Sequence, residues 1–201
     1  MRPVISPRTD LALVFDRDRY VFLPSLLKDP TLTQFYRYAR TMAERGRMGS
    51  GDDQVPGTPN GYGDFMMDGL LTSLLPEIER ASGLKLFPAY SYFRVYKNGD
   101  TLAKHTDRPS CEISITLCLG FEKEKPWPIW IEGPHGTSSV GLKAGDALLY
   151  RGMECPHWRE AFEGSLQAQV FLHYVDQNGP HAEWKFDKRT AAAGLQPSAR
   201  L

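Results

Sequence analysis

The chain has 201 residues, with 24 Lys and Arg set against 24 Asp and Glu, so its formal charge is zero and its pI lies near 7.0. That balance argues against a constitutive binder of nucleic acid or of an anionic membrane, because both need a basic footprint. At 41% hydrophobic and 24% charged the composition is that of an ordinary globule. The longest apolar runs, such as Leu11 to Phe15, fall far short of a membrane span, and the opening MRPVISPRTD lacks the apolar stretch of a secretory signal. A cytoplasmic protein without a membrane segment is expected. Cys111, Cys118 and Cys155 are an odd number without a CxxC pair, which disfavours a disulfide framework and a thiolate zinc knuckle and leaves buried free thiols.

The first clear element is a helix over residues 31–45. Leu32, Phe35, Tyr36, Ala39, Met42 and Ala43 share one helical face, Asp29-Pro30 is a start signal, and Gly46 is a stop. The Gly/Pro/Asp-rich stretch from Gly46 to Gly63 reads as a mobile loop able to serve as a lid. A second helical stretch runs from Asp64 to Ser82, where Pro76 predicts either a kink or two short helices. From Leu84 onward short β-type runs alternate with turns: FPAYSYFRVY, CEISITLCLG, WPIWIEG, SSVGL, ALLY and LQAQVFLHYV. The fold class expected is α+β, with the helices bracing one face of a barrel or sandwich. One domain over residues 1–188, with its core at about 84–176, precedes a flexible tail at 189–201.

Alternation within two strands says more. Ile113, Ile115, Leu117 and Leu119 point one way and Ser114, Thr116 and Cys118 the other. Tyr90, Tyr92, Arg94 and Tyr96 likewise share a face opposite Ser91, Phe93 and Val95. Two such rows predict a hollow barrel with a wet pocket; the alternative is that both rows face outside solvent.

His105-Thr106-Asp107 lies between the turns KNGD and RPS, at the end of a strand, where residues i and i+2 share a face and can converge on one ion. A third ligand must come from His135, His157, His173 or His181. His135 and His181 sit in turn-like segments, and His173 in VFLHYV reads as a satisfied core histidine. His157 ends the segment MECPHW as the next strand begins. Two histidines and one carboxylate on one side of a metal leave the opposite side open, as in non-haem Fe(II) oxygenases, although the donor types alone suit Fe(II), Mn(II) and Zn(II) equally.

HTDRPSCEISITLCLG, followed by GDALLYRGMECPHWREAF and QVFLHYV, resembles the Fe(II)/2-oxoglutarate-dependent dioxygenases of the prolyl-hydroxylase-like branch. The resemblance spans about Phe87 to Asp176 and implies a double-stranded β-helix core, of jelly-roll or cupin-like form, braced by the N-terminal helices. It implies Fe(II) held by His105, Asp107 and His157, with 2-oxoglutarate and O2 as cosubstrates and decarboxylation to succinate coupled to hydroxylation. Relatives that halogenate carry a small residue in place of the carboxylate that Asp107 keeps, so hydroxylation is favoured over halogenation. The substrate expected is an amino acid, a natural-product intermediate, or a peptide or protein side chain; nucleic acid is disfavoured.

One departure stands out. Such relatives supply an Arg or Lys about ten positions after the distal histidine for the far carboxylate of 2-oxoglutarate, and here Leu166 to Val170 contains no cation. Arg159, two residues after His157 and on the same strand face, is the substitute expected, unless it forms a surface ion pair with Glu160 or Glu163. Gln167, Ser114 and Thr116 would add neutral hydrogen bonds, and Tyr96 its hydroxyl. Arg94 is the second choice of cation and, with Arg108, a candidate contact for an acidic substrate group; Arg108 could instead brace its loop. The competing functions are a barrel that binds metal or senses 2-oxoglutarate without turnover, and a zinc hydrolase, which would need a general base beside the metal.

Overall fold

The computed structural model describes residues 10–122 and 124–189. Eight strands form the two layers of a double-stranded β-helix. One layer places β9 (Ala147–Arg151), β6 (Ile113–Glu122), β11 (Leu166–Asp176) and β4 (Leu86–Lys97) side by side; the other orders β5 (Leu102–His105), β10 (His157–Arg159), β7 (Ile129–Gly133) and β8 (Gly136–Val140). Every pairing is antiparallel. The first layer is widened at one edge by β1 (Tyr20–Leu23) and at the other by β3 (Pro56–Tyr62) and β2 (Gly49–Gly51).

The alternation within β4 and β6 divides the core as the sequence predicts. Phe93, Val95, Ile113, Ile115, Leu117 and Leu119 join one apolar cluster with side chains of three helices, α1 (Leu11–Asp18), α2 (Thr31–Glu44) and α3 (Phe65–Ser82). The opposite faces, carrying Ser114, Thr116, Tyr90, Tyr92 and Arg94, turn to the inside of the barrel. Helix–sheet packing therefore consumes the apolar rows and leaves the polar rows for a pocket. The three cysteines are buried and free, and no helix among the described residues is long and apolar enough to cross a membrane.

Three expectations need correction or extension. The stretch 46–63 is not a simple loop, because β2 and β3 form a hairpin whose second strand pairs with the edge of β4 in the register Asn60↔Arg94. Its Gly and Pro content hides this; the exposed main-chain groups of β4 impose pairing that local propensity opposes. Gly61 is required there, since a Cβ at this position would stand 2.2 Å from the Phe93 ring. Of the two alternatives for Pro76, the split into two short helices is excluded, since α3 is one helix with Pro76 inside it. Helix α1, capped by the Asp10 carboxylate on the Ala12 amide at 3.1 Å, and β1 precede anything the periodicity suggested. At the other end, residues 190–201 of the anticipated tail lie outside the described residues, while Arg189 is pinned to Asp68 at 2.9 Å and to the Ala89 carbonyl.

Ile115 is fully buried between the first layer and the helices. Its replacement by Ala is expected to cost about 2–5 kcal/mol in urea unfolding, whereas an equal truncation on the exposed Leu13 should cost well under about 1 kcal/mol.

Candidate active site

His105 and His157 stand directly opposite each other on β5 and β10, with ring centroids 4.3 Å apart. Each ring is held the same way. His105 Nδ1 lies 2.8 Å from the Ala103 carbonyl and His157 Nδ1 lies 2.9 Å from the Cys155 carbonyl. A carbonyl can only accept, so Nδ1 carries the proton in both rings and each Nε2 is left as an acceptor, that of His157 lying 3.5 Å from the Tyr150 hydroxyl. Asp107 Oδ1 faces them, 3.7 Å from His105 Nε2 and 3.8 Å from His157 Nε2. These three side chains thus present one ligand atom each within a 4.8 Å cluster, close enough for one ion to reach all three at roughly 2.0–2.2 Å. Burial lowers the pKa of His157, against the pull of the Asp107 carboxylate, and keeps its lone pair available.

Asp107 is set in place by backbone as much as by side chains. Its amide donates to the Gly152 carbonyl at 2.9 Å. Gly152 also has to be glycine, because a Cβ there would come within 2.3 Å of Asp107 Oδ2 and of the Cys111 carbonyl. Oδ2 accepts from the Ser114 hydroxyl at 2.8 Å, and Ser114 Oγ lies 2.9 Å from His173 Nδ1. The cluster opens onto a cavity of about 470 Å³ whose walls include Tyr90, Arg94, Arg108, Tyr150, Phe171 and His173.

The three arginines singled out in the sequence have different fates. Arg94 is paired: its Nη2 donates to Asp52 and, at 2.9 Å, to Gln54 of the β2–β3 hairpin. Burial works against the charge of Arg94, but the Tyr96 hydroxyl and the Asp52 carboxylate more than offset it and hold its pKa above the ordinary value. Arg108 is paired as well, forming two bonds to Asp187 at 2.9 and 2.8 Å and lying over the Tyr90 ring. Arg108 therefore ties its loop to the C-terminal segment, the bracing role weighed for it, while still lining the cavity.

Arg159 has no such partner. It is 1% exposed, its Nη1 donates to the Trp127 carbonyl at 2.7 Å, and its guanidinium lies over the Trp127 ring. Among the described residues no salt bridge joins it to Glu160 or Glu163, and its Nε and Nη2 find no hydrogen-bond partner there. Burial lowers its pKa, with only the neighbouring Tyr96, Cys118 and Tyr150 acting the other way. An unanswered buried guanidinium costs several kcal/mol, so this position fits an anion that the chain itself does not provide.

The neutral residues divide similarly. Tyr96 is fully buried, and its hydroxyl accepts from Arg94 Nη1 at 3.3 Å. Gln167 donates to Gln169, and Gln169 donates to Thr116 Oγ1 at 2.6 Å, leaving Gln167 Oε1 unpartnered among the described residues. Ser114 is engaged with Asp107 instead of standing with Thr116. Sequence reasoning placed His173 in the core and missed its contact with Ser114. The signal was present in the alternation of β11, where Gln167, Gln169, Phe171 and His173 share one face.

The sequence matches no protein-family model and no curated protein sequence. Its fold does match solved structures. The epimerase SnoN, in complex with Fe3+, α-ketoglutarate and nogalamycin RO, superimposes with a TM-score of 0.71 at 14% identity, over 93% of this chain and 91% of that one. A prolyl hydroxylase from Trichoplax adhaerens, in complex with a hypoxia-inducible-factor peptide fragment, gives 0.70 at 12% identity, over 90% and 92%. A Pseudomonas putida prolyl-4-hydroxylase gives 0.63 at 17% identity, over 81% and 98%.

Burial pushes His173 down to about 4 from its ordinary 6.5. Below pH 6.5 the unfolded chain takes up a proton that the folded chain refuses until about pH 4, so acidification across this window favours unfolding. Metal-free protein should lose up to about 3 kcal/mol of stability to this residue between those limits. Urea unfolding at about pH 7.5 and about pH 5 should show the loss, and His173→Phe should flatten it; equal slopes in the two proteins would contradict the assignment.

Proposed function

We propose that this chain, which has the double-stranded β-helix fold of the Fe(II)/2-oxoglutarate-dependent oxygenases, is an Fe(II)/2-oxoglutarate-dependent dioxygenase that hydroxylates a small molecule or a peptide side chain. The observation that carries this reading is the set of three ligand atoms with both histidine Nε2 lone pairs aimed at Asp107 Oδ1. His105, Asp107 and His157 would hold the metal, leaving its cavity side open for a chelating cosubstrate and dioxygen. Bound there, Fe(II) with 2-oxoglutarate and O2 supplies the oxidising power, and 2-oxoglutarate leaves as succinate and carbon dioxide.

The chain's own residues would do the rest. Arg159 neutralises the far carboxylate of 2-oxoglutarate, its free Nε and Nη2 being the donors that such an anion requires. Tyr96 would add its hydroxyl at the same end, a reading supported by its position beside Arg159 and opposite Gln167 in the strand register. Arg94 and Arg108, already neutralised by Asp52 and Asp187, impose no demand for an acidic substrate. The cavity of about 470 Å³ suits a small molecule or a single side chain.

Anaerobic reconstitution with Fe(II) and 2-oxoglutarate is expected to give the weak visible charge-transfer band of the chelate, and His105→Ala to abolish it. Protein that loads Zn(II) but neither forms the band nor binds 2-oxoglutarate would overturn the reading in favour of a hydrolase. Succinate release in a screen of amino acids, peptides and metabolites tests turnover; tight 2-oxoglutarate binding without succinate from any of them would favour a sensing barrel.

Arg159→Leu is expected to weaken 2-oxoglutarate by about 2–5 kcal/mol, tens- to thousands-fold, by titration calorimetry. Without the cosubstrate the variant should be as stable as the parent or more so, because a buried unpaired charge has been removed. Unchanged affinity would remove Arg159 from this role and move it to Arg94 or another cation.

A further inference from the structure

Ser114 Oγ lies 2.8 Å from Asp107 Oδ2, 2.9 Å from the Cys111 carbonyl and 2.9 Å from His173 Nδ1, with Tyr150 opposite it in the β6–β9 register and its hydroxyl interacting with Ser114. A hydroxyl has one proton to give. Asp107 and the Cys111 carbonyl only accept, so a proton spent on His173 would leave the hydroxyl lone pairs facing two oxygens. With Nδ1–H of His173 donating to Ser114 Oγ, only one of the two oxygens goes without the hydroxyl proton, and that proton favours the carboxylate over the Cys111 carbonyl because the bond there is charge-assisted. Packing and register fix the ring of His173 in this position: the residue is 6% exposed, its ring lies 4.5 Å from that of Tyr90, and it stands opposite Ser114 in the β6–β11 register. Nε2, its other polar atom, has no hydrogen-bond partner among the described residues, and the residue lines the cavity.

We propose that His173 is a positioning residue for the carboxylate ligand: by donating Nδ1–H to Ser114 it directs the hydroxyl proton onto Asp107 Oδ2 and so presents Oδ1 to the metal. This rests on the reading that His105, Asp107 and His157 hold a metal ion. Oδ2 is occupied, Oδ1 faces the two imidazoles, and the carboxylate is kept from rotating or from binding through both oxygens. Hydrogen bonds in such a chain polarise one another, so loss of the histidine donor weakens the serine bond as well. Partners of this kind behind a ligand typically govern metal affinity by roughly 10- to 100-fold.

The test uses the full chain and Co(II) alone, with affinity from titration and coordination from the d–d spectrum. Ser114→Ala should weaken Co(II) roughly 10-fold or more and alter the spectrum, and His173→Leu should act in the same direction. Once Ser114 is already Ala, His173→Leu should have no further effect. His173→Asn places an amide N–H near the position of Nδ1–H and should restore affinity towards the parent value. Near-UV circular dichroism establishes that each variant is folded, and Ser114→Ala, the smaller change, keeps the test alive if His173→Leu fails to fold. Parent-like Co(II) affinity and spectrum in Ser114→Ala would overturn the relay, as would a His173→Leu penalty undiminished by the Ser114→Ala background. A parent protein that binds no Co(II) would overturn the metal reading itself and the relay with it.

Discussion

The site depends on two short hydrogen bonds that belong to the backbone. An imidazole can ligate through either nitrogen, and it binds through a chosen one only if the other is occupied. Here the Ala103 and Cys155 carbonyls, each two residues before the histidine it holds, occupy both Nδ1 atoms. That places both Nε2 atoms toward Asp107, and it works because the β5–β10 pairing puts His105 and His157 face to face. The convergence of the three ligand atoms on one point of the cavity follows from this geometry.

A second constraint is the treatment of buried charge. Arg94 and Arg108 each receive a carboxylate from a distant segment, Asp52 of the β2–β3 hairpin and Asp187 near the C-terminal end of the described residues. Those pairs tie the rim together and leave the rim arginines neutralised. Arg159, deeper and more completely enclosed, receives none among the described residues. A guanidinium left so is costly unless an anion completes it, which makes its isolation more informative than any pairing it could have made.

The architecture separates these roles by the two faces of one sheet. The face packed against α1, α2 and α3 is apolar and closed, while the opposite face carries Ser114, Thr116, Tyr96, Gln167 and His173 into the barrel. A polar row inside a barrel is tolerated only when its members satisfy one another. The chains from Gln167 through Gln169 to Thr116, and from His173 through Ser114 to Asp107, meet that condition in part, with Gln167 Oε1 left over among the described residues. The unpartnered atoms on Arg159 and Gln167 belong to residues set beside and opposite Tyr96.

What the sequence alone determined was whatever rests on period and short spacing. The alternation in CEISITLCLG and AYSYFRVY assigned each side chain to core or cavity, the face of α2 was legible from Leu32 to Ala43, and His105 and Asp107 shared a strand face by their i, i+2 spacing. The approach of His157 to that pair, the neutralisation of Arg94 and Arg108, the hairpin hidden in a Gly/Pro-rich stretch and the contact of His173 with Ser114 were decided only by tertiary structure. Each joins segments far apart in the chain, such as Ser114 and His173, through strand register or a long side chain, and local propensity carries no information about which distant partner will arrive.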